Sequence, residues 1–253
     1  MPERQRPPAP CQWPASRRRP LPLPPDALRV TAIPSAPARI AVLASGRGSN
    51  LQALLDAIAA GTLPARIVGV FSDRPGAPAL ARVAPALRWA QAPATFADRA
   101  AFEQAMATAI DAAAPDWIVC AGYMRILGEA FVRRYAGRLV NIHPSLLPRH
   151  RGLRTHAAAL AAGDAEHGAS VHFVSPELDA GAVIAQAPVP VLHEDTPDTL
   201  AGRVLAVEHP LLVATVGLLA AGRVAERDGR VWLDGQCRFR PLRLDCAHTH
   251  LVP

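Results

Sequence analysis

An apolar segment, a glycine-containing turn and an amphipathic segment follow one another over residues 39–58, and this order constrains the fold most. Residues 39–44 (RIAVLA) predict a buried strand, and residues 45–50 (SGRGSN) form the turn. After the turn, apolar residues recur at helical spacing: Leu51, Leu54, Leu55 and Ile58. A strand that leads through such a turn into a helix points backbone N–H groups at an anion. A plain tight turn is the alternative, because the third glycine of the dinucleotide fingerprint is absent.

Further strands and helices alternate along the chain. Apolar segments at 67–72, 116–120 and 139–142 predict strands, and Phe102, Met106 and Ile110 predict a helix over 98–113. Weaker patterns predict short helices at 79–84, 129–135 and 156–162, strands at 169–174 and 183–191, a helix over 198–221 that is bent or broken at Pro210, and a hairpin around residues 228–229. This alternation predicts an α/β fold with a doubly wound, mainly parallel sheet and an antiparallel C-terminal extension.

The net charge of +6 is concentrated at the ends of this 253-residue chain. Residues 1–40 carry +5 and the tail from residue 236 carries +2, which leaves the middle near −1. We therefore predict no nucleic-acid surface. No apolar run approaches the roughly eighteen residues of a membrane span, so we predict no membrane partner. The chain contains no lysine, which excludes Schiff-base and P-loop chemistry. Four scattered cysteines favour a reducing compartment, and we expect a cytoplasmic protein.

Composition divides the chain into three parts. Residues 1–37 contain eleven prolines and no helical or strand periodicity, which predicts a disordered extension. Residues 38–235 carry the patterned segments and form the predicted folded domain, and residues 236–253 form a tail. A zinc site in the tail is the alternative, with candidate ligands Cys237, Cys246, His248 and His250. No paired short spacing supports it, so we predict no metal site.

Residues 139–148 (LVNIHPSLLP) bring two polar side chains to the end of a strand. Asn141 and His143 are two residues apart, and such residues point to the same side of an extended chain. Pro144 cannot continue a ladder, so the chain leaves the sheet there. Open α/β sheets bind ligands at this end of their strands. A core histidine beside a turn-forming asparagine is the alternative.

Five motifs in order carry a resemblance to a known family: SGRGSNLQALLDAI, AGYMRIL, NIHPSLLP, HGASVHFV and LDAGAVIAQ. They resemble the phosphoribosylglycinamide formyltransferases of the folate-dependent formyltransferase superfamily, over residues 38–235. The resemblance implies a Rossmann-like formyltransferase fold. It also implies transfer of the formyl group of 10-formyltetrahydrofolate, a co-substrate, to the glycinamide amine of 5-phosphoribosylglycinamide in de novo purine (IMP) biosynthesis. These small molecules are the expected partners of a monomer or homodimer.

The resemblance also implies site residues. The implied catalytic residues are Asn141, His143 and Asp179, with His143 as the proton shuttle and Asp179 raising its pKa. The implied substrate residues are Gly48, Ser49, Asn50 and Glu208. The implied folate residues are Arg99 for the glutamate tail, Met124, Arg125, Ile126 and Leu127 for the pterin, and Asn141.

Other functions are weighed against this one. A formyltetrahydrofolate hydrolase would use the same three catalytic residues with water as acceptor, and should carry a small folded regulatory domain before the catalytic one. A methionyl-tRNA formyltransferase would need a further C-terminal domain and a basic surface. A nicotinamide-dependent dehydrogenase could use the glycine turn but leaves NIHPSLLP unexplained.

Overall fold

The structure, a computed structural model, describes residues 36–245 and 247–252. The predicted disordered extension lies outside the described residues, except for its last two positions. The described residues contain twelve strands: β1 Ala38–Leu43, β2 Ala65–Ser72, β3 Arg88–Ala90, β4 Trp117–Cys120, β5 Leu139–His143, β6 Glu166–Phe173, β7 Val183–Pro190, β8 Val224–Arg227, β9 Arg230–Leu233, β10 Gln236–Cys237, β11 Leu242–Leu244 and β12 Leu251–Val252. The same part of the chain contains five α-helices: α1 Ser49–Ala59, α2 Arg99–Ala113, α3 Glu129–Arg134, α4 Thr155–Ala161 and α5 Pro197–Ala220.

Nine strands form the central sheet, in the order β12-β11-β7-β6-β5-β4-β1-β2-β3. Strands β1 to β5 pair in parallel, whereas β6 is antiparallel to both β5 and β7. Strands β8, β9 and β10 form a separate antiparallel sheet. The predicted doubly wound, mainly parallel sheet with an antiparallel C-terminal extension is confirmed.

The two faces of the sheet bury separate apolar clusters. Ile40 and Val42 of β1 belong to the cluster that includes residues of α1 and α5. Ala41 and Leu43 belong to the cluster that includes residues of α2 and α3. Because successive residues of a strand point to opposite faces, the continuous apolar sequence of β1 supplies both clusters.

Helix α2 begins where the sequence predicts, with Asp98 as its N-cap. The Asp98 carboxylate accepts a hydrogen bond of 2.8 Å from the N–H of Ala101. The segment predicted as a helix at 79–84 is instead a 3₁₀ helix, Pro78–Arg82. Pro85 leaves only residues 78–84 for this helix, too few for a stable α-helix.

Helix α5 is continuous through Pro210, so of the two predicted outcomes, a bend or a break, the break is wrong. A capping box of Thr196 and Thr199 begins it. The helix is long and apolar enough to cross a membrane, but half of its most apolar stretch is buried inside the protein, where it packs on β6 and β7. Burial on both sides of Pro210, for example at Leu200 and Leu212, outweighs the one hydrogen bond that proline removes.

The segment predicted as a tail contributes strands to both sheets. β10 extends the β8–β9 hairpin, and β11 pairs in parallel with β7. β12 then pairs antiparallel with β11. Leu242 and Leu244 of β11 are buried, so β11 is a packed strand of the central sheet and β12 lies at its edge. Strands of two and three residues have no periodicity that a sequence could reveal.

We expect Leu242→Ala to lower the free energy of unfolding by about 2 kcal/mol or more, because a side chain only 3% exposed would leave a cavity. Chemical denaturation measures this loss. Val252→Ala in the neighbouring edge strand is the control: Val252 is 41% exposed, so its loss should stay below about 0.5 kcal/mol. Equal effects of the two substitutions would contradict a buried β11.

Candidate active site

The sheet register brings four strand ends together. Leu43 lies opposite Cys120, Cys120 lies opposite Asn141, and Asn141 lies opposite His172. The loops that follow β1, β4 and β5 therefore leave the sheet at one edge. The chain also reverses its direction of winding here, since β1 lies between β4 and β2. This is the switch point at which open α/β sheets bind ligands.

The glycine turn requires Gly48 itself. Its φ is 73°, in the left-handed region, and an added Cβ would lie 2.7 Å from the Cβ of Ala79. The 3₁₀ helix that contains Ala79 braces the turn: the N–H of Ala79 donates to the Gly46 carbonyl, and Arg82 donates to the Arg47 carbonyl. Gly48 directly precedes Ser49 and Asn50 at the N-terminus of α1, where a helix favours an anion.

Two predicted substrate residues, 158 positions apart, are in contact. The Asn50 side-chain amide donates a hydrogen bond of 2.9 Å to Glu208 Oε2. Burial raises the pKa of Glu208, and this hydrogen bond only partly opposes the rise. Asn50 Oδ1 is buried and has no hydrogen-bond partner within the described residues. The pair therefore has an acceptor that a ligand N–H or O–H could satisfy.

The Asn141 carboxamide is oriented by His172. The Phe173 carbonyl, 2.8 Å from His172 Nδ1, can only accept, so Nδ1 carries a proton. In the neutral ring Nε2 is then an acceptor, and it lies 3.1 Å from Asn141 Nδ2. This contact uses one of the two amide hydrogens of Asn141. The other remains for a ligand oxygen.

His143 and Asp179 meet although 36 positions separate them. His143 Nδ1 lies 3.4 Å from Asp179 Oδ2, and His143 Nε2 donates to the His150 carbonyl over 3.0 Å. Asp179 also accepts the N–H of Gly152 over 2.9 Å. Burial alone would raise the pKa of Asp179, but its contacts with His172, Gly152 and His143 lower the pKa below its ordinary value. Asp179 is therefore ionised at neutral pH.

Asp179 raises the pKa of His143, as predicted, but the net pKa of His143 lies below its ordinary value. Burial is the largest influence and lowers the pKa, although the His150 carbonyl and Asp179 act in the opposite direction. The His143 side chain is 7% exposed, so the charged ring loses more hydration than one carboxylate and one carbonyl restore. At neutral pH the ring is uncharged, ready to accept a proton beside a carboxylate.

The turn that carries Asp179 fits a narrow space. Asp179 has a φ of 47°, in the left-handed region that aspartate tolerates better than most residues. Two residues later, a Cβ added to Gly181 would overlap the carbonyl oxygen of Phe173. The LDxG motif is thus explained by a tight turn packed against the end of β6.

Side chains outside the predicted site hold the loop after His143. Ser170 donates to the Ser145 carbonyl over 2.7 Å and accepts the N–H of Leu147 over 3.0 Å. Two further donors, not predicted from the sequence, complete the support: Gln186 to the Leu147 carbonyl and Thr155 to the Pro144 carbonyl. A glutamine within the apolar segment of β7 was the one available signal.

Of the predicted folate residues, 124–127 follow β4 at the same edge of the sheet, and Arg99 is the first residue of α2. Arg99 pairs with Glu103 over 2.8 Å and also donates to the Ile126 carbonyl. Met124 and Ile126 are 57% and 61% exposed, which suits a surface that a ligand covers. Arg99 thus lies beside residues 124–127, where its guanidinium donates to the Ile126 carbonyl and also carries a positive charge. No group of three potential metal ligands occurs among residues 36–245 and 247–252.

Comparison with known proteins first defines the class. The profile of the formyl transferase family matches residues 38–216, and the chain therefore belongs to this family. It is 47% identical over 199 residues to phosphoribosylglycinamide formyltransferase of Escherichia coli K12, covering 78% of this chain and 94% of that protein. It is also 47% identical to the enzyme of that name from Mycobacterium tuberculosis H37Rv, over 74% of this chain and 87% of the relative.

Solved structures agree with this assignment. The phosphoribosylglycinamide formyltransferase of Coxiella burnetii, 43% identical, superposes with a TM-score of 0.77 over 86% of this chain and all of its own. A formyltetrahydrofolate deformylase from Pseudomonas syringae is 26% identical, with a TM-score of 0.70 over 79% of this chain and 66% of its own. The resemblance carried by the five motifs is confirmed, and the chain is an enzyme of formyl transfer.

We expect Glu208→Gln to stabilise the protein at pH 7. Because folding raises the pKa of Glu208, its contribution to stability is complete below the unfolded value of about 4.3 and is lost as pH rises through the folded value. Glutamine stays neutral and can still accept the Asn50 hydrogen bond. Denaturation at pH 7 and pH 4 should show a gain that disappears at the lower pH. Glu194→Gln, at an exposed position, controls for the loss of one charge; an identical gain there would contradict the role of burial.

Proposed function

We propose that this site transfers the formyl group of 10-formyltetrahydrofolate to the glycinamide amine of 5-phosphoribosylglycinamide. The observation that carries the proposal is the meeting of Asn141, His143 and Asp179 at the strand end that adjoins the glycine turn. The product belongs to de novo purine biosynthesis, and we propose a cytoplasmic enzyme, a monomer or homodimer, with residues 38–235 as its catalytic domain.

Asn141 stabilises the intermediate. Attack of the amine nitrogen on the formyl carbon forms a tetrahedral intermediate whose oxygen is negatively charged. A fixed N–H donor at that oxygen lowers the barrier. The second amide hydrogen of Asn141 is suited to this role, because His172 fixes the carboxamide without using it.

His143 moves the proton and Asp179 supports it. The attacking nitrogen must lose one proton, and the folate nitrogen must gain one as the bond between it and the formyl carbon breaks. An uncharged His143 can take the first proton and deliver it to the leaving nitrogen. Ionised Asp179, 3.4 Å away, stabilises the imidazolium formed between these steps.

The two substrates occupy neighbouring parts of this edge. The N-terminus of α1 with Gly48, Ser49 and Asn50 suits the substrate phosphate, since backbone N–H groups and the helix dipole face an anion there. Glu208 beside Asn50 suits the sugar and glycinamide of the same substrate. Backbone groups of residues 125–127 suit the pterin, and Arg99, about half exposed, suits the glutamate tail.

Hydrolysis of the formyl-folate is the second candidate, because water could replace the amine at the same three residues. Sequence similarity favours the transferase: the deformylase structure is 26% identical, against 43% for the transferase from Coxiella burnetii. An assay with and without 5-phosphoribosylglycinamide distinguishes the two candidate functions.

We expect formyl transfer, followed by absorbance, to require 5-phosphoribosylglycinamide. His143→Ala should lower kcat by about a hundredfold or more, the typical contribution of a positioned proton-transfer group. His193→Ala, at an exposed position outside the site, is the matched control and should retain full activity. Turnover of the formyl-folate that does not depend on 5-phosphoribosylglycinamide would identify a hydrolase. Near-normal activity of His143→Ala would contradict the proton-transfer role assigned to His143.

We expect the acid limb of the pH profile of kcat/KM to lie below pH 6.5, because burial lowers the pKa of His143. Asp179→Asn removes an influence that raises this pKa, so the limb should move to still lower pH while the rate falls. Rates measured from about pH 4.5 to about pH 8.5 for both proteins test the shift. Movement of the limb to higher pH would refute the assigned interaction.

A further inference from the structure

Ser45 and Asp73 form a buried polar pair that the proposed chemistry does not use. Ser45 follows β1 and is 1% exposed, and Asp73 follows β2 and is 7% exposed. The Ser45 hydroxyl donates to Asp73 Oδ1 over 2.5 Å and accepts the N–H of Met124 over 2.9 Å. Asp73 stands where a dinucleotide-binding fold would use an acid for a ribose. Here it contacts a hydroxyl of its own chain.

In this pair, the carboxylate of Asp73 determines how the hydroxyl of Ser45 is oriented. Serine has one proton to donate and two lone pairs that accept. When a carboxylate takes the proton, the hydroxyl cannot rotate, and a lone pair is held towards the Met124 N–H. Replacing the carboxylate by an apolar group would free the hydroxyl. Burial of the Asp73 carboxylate costs stability, and the hydrogen bond from Ser45 offsets part of this cost.

The Met124 N–H, which donates to Ser45, belongs to the first residue of the segment 124–127 that is proposed to bind the pterin. Further along it, the Ile126 carbonyl accepts from Arg99, and the N–H of Gly128 donates to Glu103 over 2.9 Å. Within residues 36–245, the N–H groups of Arg125 and Leu127 make no hydrogen bond to the chain. Side chains thus fix the segment at alternate residues, and the residues between keep their donors for a ligand.

We propose that Asp73 is a positioning residue for folate binding that acts through Ser45 on the segment 124–127. The inference rests on the proposed function. It assigns the pair to one substrate only: Ser45 is the first residue of the glycine turn, but residues 46 and 47, which lead to the part that faces the other substrate, have their own brace from Ala79 and Arg82. Loss of the pair should therefore weaken the folate and leave the phosphorylated amine almost unaffected.

The test compares Ser45→Ala, Asp73→Ala, Asp73→Asn and the double alanine variant. Calorimetric titration with tetrahydrofolate gives a Kd that does not depend on turnover, and steady-state rates give a separate KM for the formyl-folate and for the phosphorylated amine. In both single alanine variants, the tetrahydrofolate Kd and the formyl-folate KM should rise about tenfold, the effect of one buried hydrogen bond. The KM for the phosphorylated amine should change less than about twofold.

Two further variants separate positioning from stability. Asp73→Asn keeps an oxygen that accepts the hydroxyl proton, so it should bind folate nearly as the wild type does. The double variant should bind no worse than Ser45→Ala, because Asp73 acts only through that hydroxyl. Asp116→Ala, which removes a contact to the N–H of Arg39 at the opposite edge of the sheet, is the control and should change neither KM.

Equal increases in both KM values, additive losses in the double variant, or a fall in Tm with unchanged folate Kd would overturn the proposal. Measurements on the wild type separate a failure of the proposed function from a failure of the role proposed for Asp73. A wild type that binds tetrahydrofolate but does not formylate the amine refutes the proposed function, while the folate Kd values of the variants still decide the role of Asp73. A wild type that binds no tetrahydrofolate refutes both.

Discussion

The backbone pairing of β1, β4, β5 and β6 holds the side chains of the candidate site in place. It aligns Leu43, Cys120, Asn141 and His172 across four strands. Parallel pairing brings three loops to one edge, and the antiparallel β6 adds His172, which orients Asn141. Hydrogen-bonded strands keep this register far more rigidly than loops could, so the side chains of the candidate site are placed before any ligand arrives.

The carboxylates Asp179, which is partly buried, and Glu208, which is buried, illustrate how hydrogen-bond donors change the pKa of a carboxylate. Asp179 receives a backbone N–H and lies near two histidines, and its pKa falls despite burial. Glu208 receives one amide hydrogen among apolar neighbours of α5, and its pKa rises. Opposite shifts of this kind suit the roles proposed for the two groups, with Asp179 supporting a proton carrier and Glu208 contacting a neutral or polar ligand.

The long, strongly patterned elements were predictable. The apolar stripe and cap of α2 gave its limits, and the Asp228-Gly229 turn gave the β8–β9 hairpin. The strands β3, β11 and β12 were missed, because two or three residues carry no period and gain their stability from pairing with a sheet already formed. Helix α5 was predicted, but with a possible break at Pro210, because local sequence does not show that burial by distant strands overrides the effect of the proline.

Within the site, the order of residues was enough to place Asn141 and His143 on one side of a strand, because side chains alternate with a period of two. The motifs were also enough to name the family. Only the folded chain settled that Asp179 lies 3.4 Å from His143, that His172 orients Asn141, and that the pKa of His143 is lowered. Each of these depends on contacts between residues far apart in the chain and on the removal of water, which local sequence cannot specify.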